Sequence, residues 1–195
     1  SVPVPRRPAH RESPRQRRDV VTAHGLLELW PGEVLRLQML ATHYRHPLDW
    51  TEAGSREART VLDRWYAVAA DVEPAERVPD GVVAALEDDL NTPAAIAEFH
   101  RLASAAGQGS NAAARELKAA GLFFGFFGQS LEEWRRWTPK GKKIDTKHVE
   151  DLIAKRNAAR KAKDFAEADR LRGELSAMGV AIEDGPAGTI WKAVQ

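Results

Sequence analysis

Along most of the chain apolar side chains recur at three- and four-residue spacing, the period of amphipathic helices, and only beyond Gly179 does the period fall to two. From Val20 the spacing runs through Leu35, Leu37, Met39 and Leu40, with Pro31 suited to a helix's first turn. Glu52 to Asp71 predicts a long helix whose stripe is Ala58, Val61, Leu62, Trp65, Tyr66 and Val68, closed by a loop near Pro74. In LEDDLNTPAAIAEFHRLA, Leu86 to Ala103, Asn91 or Thr92 caps a helix with Pro93 in its first turn. The Gly107–Asn111 stretch reads as a loop, and Asn111 as the cap of a short helix through Leu117 and Ala120. Phe123, Phe124, Phe126 and Phe127 are expected to plug the core, with Gly125 weakening any helix there, and Leu131–Trp137 forms a last helical piece.

Residues 138–145, Thr-Pro-Lys-Gly-Lys-Lys-Ile-Asp, are polar, basic and rich in turn formers, and read as a linker. After them Thr146 is expected to cap a helix with an apolar side of Val149, Leu152, Ile153 and Ala159; Lys155, Arg156, Arg160 and Lys161 lie on its other, cationic faces. Asp164 caps a second helix carrying Phe165, Ala168, Leu171, Leu175 and Met178, and Gly179 supplies its left-handed stop. Val180–Glu183 and Thr189–Ala193 are short strands joined by Asp-Gly-Pro-Ala-Gly, a hairpin turn composition. The expected fold is mainly α: a helical bundle over 20–137, the linker 138–145, and a small α/β domain over 146–195 made of a helical hairpin and a β-hairpin.

Composition narrows the chemistry. Residues 1–19 are dense in proline and arginine, cannot bury a core, and are expected to be a disordered tail. The formal net charge is only +1, so any polyanion must be held by local clusters such as that between Lys155 and Lys163. With no cysteine, the chain offers neither disulfides nor thiolate zinc sites nor a thiol nucleophile. No apolar stretch reads as a signal peptide or membrane span, and a cytoplasmic setting is expected. Neither His10, His24, His43 and His46 nor the run Glu87, Asp88, Asp89 has a spacing that converges on a metal; consecutive carboxylates scatter around a helix.

A basic helical hairpin is ordinarily a solvated face, and an isolated aspartate within one is ordinarily a cap or turn residue. The stretch RNAARKAKDFAEADRLRGELSAMGVAIEDGPAGTIWK is more specific, and it resembles the anticodon-binding end of bacterial cysteinyl-tRNA synthetases over nearly its whole length. HYRHPLDW, from His43 to Trp50, and LEDDLNTPAA resemble the same family's helical bundle of the DALR type; VVTAHGLLELWPGEVLRL matches the segment that follows its KMSKSLGN loop. In place of that loop stands HRESPRQRRD.

The resemblance implies a tRNA(Cys)-binding C-terminal portion that reads the GCA anticodon through Arg160, Phe165, Asp169, Arg172 and Asp184. In the family, Phe165's position also takes tryptophan. These residue types suit base recognition, since carboxylates accept from the cytosine amino group or the guanine N1 and N2 donors. Arginines grip phosphate or guanine edges, and an aromatic ring stacks an unpaired base. The complete family enzyme uses ATP and zinc; no residues here are expected to hold either, so the chain is expected to bind tRNA without charging it. Two alternatives stay open: one half of a split ligase that needs a separate catalytic chain, and a non-binding helical remnant.

Overall fold

A computed structural model describes residues 22–141, 144–185 and 188–193. The proline- and arginine-rich stretch 1–19, the linker lysines 142 and 143 and the turn residues 186 and 187 lie outside them. The architecture is mainly helical with one two-stranded antiparallel hairpin at the C-terminal end. Among the described residues seven helices build the first part: α1 (Ala23–Leu29), α2 (Gly32–Leu40), α3 (Glu52–Ala69), α4 (Asp80–Glu87), α5 (Thr92–Gly107), α6 (Asn111–Phe123) and α7 (Leu131–Arg136). The second comprises α8 (Thr146–Lys161), α9 (Phe165–Ala177), β1 (Val180–Gly185) and β2 (Gly188–Ala193).

Short polar residues start most of these helices by accepting an otherwise unpaired backbone N–H. Thr22, Thr51, Asn91, Ser110, Ser130, Asp145 and Asp164 all do so. Two caps fall one residue before the expected ones: Ser110 takes the place of Asn111 and Asp145 that of Thr146. Both expected residues are capable acceptors, and the flanking residue with extended backbone wins because only there does the side chain reach the third amide. Pro31 precedes α2 as its N-cap rather than entering its first turn, which separates α1 from α2.

α3 is the axis of the bundle, packing against α2, α5, α6 and α7. Its residues Leu62, Trp65, Tyr66 and Ala69 are fully enclosed, at the 3.6-residue period that the sequence shows. Trp65 meets Phe99 and Phe126 at 5.0 and 5.7 Å between ring centres, and Tyr66 stacks on Trp134 at 4.4 Å and 6°. Each such ring contributes roughly 1.5–3 kcal/mol by leaving water.

The phenylalanine-rich stretch is only half a plug. Phe126 and Phe127 are buried, Phe124 is half-buried, and Phe123 is 64% exposed. The helix ends at Phe123, and Gly125, at φ 76°, turns the chain so that the next two rings face inward. Phe127 adopts φ 61° and lies on Gly121, where a Cβ would sit 2.2 Å from its ring. This turn is tied down by a buried carboxylate: Glu33 on α2 accepts from the Tyr66 hydroxyl at 2.9 Å and from the backbone N–H groups of Phe127 and Gly128 at 3.1 and 3.0 Å. Burial and the adjacent Glu33 charge push the Tyr66 hydroxyl above its ordinary range. Asp89 has a structural partner set as well, accepting from the Tyr44 hydroxyl at 2.8 Å and from Arg45 at 3.0 Å.

The second part has its own core: Val149, Leu152 and Ile153 of α8, Leu171 and Leu175 of α9, and Val180 and Trp191 of the hairpin. A two-stranded hairpin is marginal alone, and this apolar backing holds it. The register pairs Ile182 with Trp191 and Asp184 with Thr189 on the inward face, and Glu183 with Ile190 on the outward one. The two parts touch through α7 and β2; Arg136 bonds Glu150 at 3.1 Å and lies over the Trp191 ring. Lys140 is fastened to α1, its backbone N–H to the Glu28 carbonyl at 2.7 Å and its ammonium to the Glu28 carboxylate at 2.9 Å. No described helix is long and apolar enough to cross a membrane.

Candidate nucleic-acid interface

The turn between α8 and α9 closes back on its own helix, with Lys163 N–H donating to the Arg160 carbonyl and Asp164 N–H to the Ala159 carbonyl. Lys163 takes φ 62° to make that turn, and Asp164 then caps α9. Phe165 is therefore the first helical residue, with no preceding turn to pack on, and its ring is 64% exposed. Its spacing predicts a place in the apolar stripe with Ala168, Leu171 and Leu175; those three are buried and Phe165 is not. Asp169 and Arg172 follow at i+4 and i+7, on the same helical face, and both are exposed.

Arg160 lies at the end of α8 beside this turn, and the hairpin brings Asp184 to it. Asp184 is the hub of the site. Its Oδ1 accepts from Arg156 Nη1 at 2.6 Å and from the Thr189 hydroxyl at 2.7 Å; its Oδ2 accepts from Arg156 Nη2 at 2.7 Å and from Arg160 Nη1. Asn157 fills the gap, donating to Thr189 Oγ1 at 3.1 Å and accepting from Arg156 at 3.1 Å. With three donors of this kind, the Asp184 carboxyl is held far below the usual carboxylate range, first by the Arg156 hydrogen bonds and then by Thr189. Arg156 is correspondingly held more firmly protonated by Asp184, with the Asp169 charge adding to the effect.

Three elements thus converge: α8 through Arg160, the start of α9 through Phe165 and Asp169, and β1 through Asp184. Arg172 shares the α9 face one turn further on. Asn157, Arg160, Lys161, Asp184, Gly185, Gly188 and Thr189 line an open depression of about 540 Å³ at the hairpin end. Its lining combines donors with a carboxylate, and the exposed Phe165 ring lies five residues beyond Arg160, across the α8–α9 turn; hydrogen-bonding edges and a stacking ring are what an unpaired base uses. Among the described residues no three histidine, aspartate or glutamate side chains lie close enough to hold a metal ion.

Arg156 corrects the sequence reading. Its charge groups it with the solvated cations of α8, yet it is only 6% exposed and belongs to the buried face with Val149, Leu152 and Ile153. Its position three residues beyond Ile153 is the signal in the sequence, since that spacing continues the buried stripe. Lys155, by contrast, is exposed and paired with Asp151 at 2.7 Å.

Comparison with known proteins places both parts of the chain. Residues 146–191 match the cysteinyl-tRNA ligase anticodon binding domain, and residues 81–128 match the DALR domain. The cysteine–tRNA ligase of Acidiphilium cryptum is 47% identical over 174 residues, covering 88% of this chain and 38% of that protein. That of Rhodospirillum centenum is 49% identical over 178 residues, 88% of this chain and 39% of its own length, and that of Parvibaculum lavamentivorans 47% identical over 185 residues, 89% and 40%. The chain spans about two fifths of the length of the curated relatives it matches.

Proposed function

We propose that this chain, which carries the DALR and anticodon-binding domains of cysteinyl-tRNA ligases, binds the anticodon arm of tRNA(Cys) and discriminates its bases. The observation that supports this best is the juxtaposition of an exposed aromatic ring, Phe165, with carboxylates and guanidinium groups at one end of α8, α9 and the hairpin. Phe165 stacks an unpaired loop base; Asp169 and Asp184 accept from amino or imino donors on base edges; Arg160, Arg172 and the lysines at 161 and 163 hold phosphates and acceptor edges. Activation and transfer of cysteine belong, in this proposal, to the remaining three fifths of a ligase, on the same or a separate polypeptide, and this chain supplies the RNA grip.

Binding of the full chain to tRNA bearing GCA, and to each single-base change, at one fixed salt concentration tests it. Asp169→Ala is expected to weaken binding by about 1–3 kcal/mol, roughly 5- to 150-fold, and to relax discrimination at one anticodon position. On a merely cationic surface the sign reverses, because deleting a carboxylate leaves phosphate attraction equal or stronger. Tighter, unselective binding by that variant would overturn the proposal.

A further inference from the structure

An ionised carboxylate has about four lone-pair sites, and all four of Asp184's are engaged: Arg156 twice, Thr189 once and Arg160 once. A base donor can reach this carboxylate only by displacing one of them. The three partners are not equally held. Arg156 has a 7% exposed side chain, makes two parallel bonds to the carboxylate and a third to Asn157, and its release would strand a buried cation. Thr189 is Asp184's cross-strand neighbour and is oriented by Asn157. Arg160 is 49% exposed and holds Asp184 through a single nitrogen, so water or another donor replaces it at little cost. It also lines the open depression onto which Asp184 faces.

We infer that Arg160 is an exchangeable cap on Asp184: a base N–H takes its place on Oδ2, and the released guanidinium swings onto a phosphate of the same RNA. Arg156 and Thr189 stay in place and act as positioning residues, fixing the plane of the carboxylate against the end of α8. This rests on the base recognition proposed above. Two gains follow from one exchange. The carboxylate becomes available only when a donor of the right geometry arrives, and the freed arginine adds a phosphate contact. A nucleic acid without that donor leaves the cap closed and forgoes both.

The test uses the full chain and an anticodon stem-loop RNA, with affinity measured across a salt series for GCA and for single-base changes. Arg160→Gln is expected to weaken binding of the GCA stem-loop and to flatten its dependence of log affinity on log salt by about 0.7–0.9, one phosphate contact. A mismatch at the base that Asp184 reads never opens the cap, so for that RNA the variant's salt slope should equal the parent's, and the preference for the matching base should narrow without vanishing because Arg156 still presents Asp184. Arg156→Lys, which keeps the charge and loses the two-pronged hold, should instead lose discrimination at the base that Asp184 reads, with the salt slope unchanged and helical content retained by circular dichroism.

An Arg160→Gln chain with an unaltered salt slope would mean that Arg160 never leaves Asp184, and would overturn the exchange while leaving base recognition by the parent chain intact. Arg156→Lys discriminating as well as the parent would remove its positioning role. A parent chain indifferent to every base change would take down the proposed function and this inference together.

Discussion

The two parts of the molecule each enclose a charge, and they do it in opposite ways. In the bundle the buried group is a carboxylate, Glu33, 7% exposed, and the donors that meet it are neutral: a phenol and two backbone amides. In the C-terminal unit it is a cation, Arg156, 6% exposed, and its partner carboxylate is 41% exposed and shared with a second arginine. The first arrangement is closed: every donor is fixed by backbone or by a stacked ring, and no component can leave without unfolding the turn. The second is open on one side. Buried charge serves as a clasp in one place and as a mount in the other, and the difference lies in whether the partner touches solvent.

Breaking each of these separates them. Glu33→Ala should be the costliest single change, about 3–5 kcal/mol, because it strands the Tyr66 hydroxyl and two backbone N–H groups in an apolar interior. Denaturant titration followed by hydrogen exchange should show α3 amides losing protection. Asp184→Ala should cost the C-terminal unit about 2–3 kcal/mol, less than a fully enclosed pair because water reaches the vacated side, and the loss should appear in α8 and α9 amides with α3 unaffected.

Acid sharpens the contrast. Asp184's folded-state carboxyl lies well below its unfolded value, so its contribution is fully present above about pH 4 and fades as pH falls toward the folded value. The C-terminal unit should therefore lose protection on acidification below about pH 4, and Asp184→Asn should flatten that dependence. The smallest effect expected is at the seam: Arg136→Gln removes exposed ion pairs to Glu132 and Glu150 and a guanidinium over Trp191, together worth about 1–2 kcal/mol in thermal unfolding.

How far the sequence reveals all this depends on the range of the interaction. Most helices and the hairpin are legible because periodicity and capping are local, decided within four residues; the short α4 is not among the expected elements, and some caps differ from expectation by one residue, as at Ser110 and Asp145. Arg160, Phe165, Asp169, Arg172 and Asp184 are legible as a motif, and the structure brings Arg160, Asp169 and Asp184 around Arg156. Arg156 and Glu33 escape notice as core residues because what permits their burial is distant in sequence: Asp184 lies 28 positions from Arg156, and the turn amides lie 94 and 95 from Glu33. No window sees such a partner. Phe165 joins the apolar stripe by spacing alone; the Asp164 cap makes it the first helical residue, where no preceding turn lies against the ring.

Lys140 gives the seam a mechanical consequence. Because its backbone and side chain are both fastened to Glu28, only four residues separate this anchor from Asp145, which caps α8. Five links of about 3.8 Å keep these two anchors within about 19 Å of each other. A ligand long enough to touch both parts would meet the second at high effective concentration, so weak contacts made by each would reinforce one another. Lengthening that connection with a flexible insert after Gly141 would loosen such a two-handed grip while leaving both hands intact.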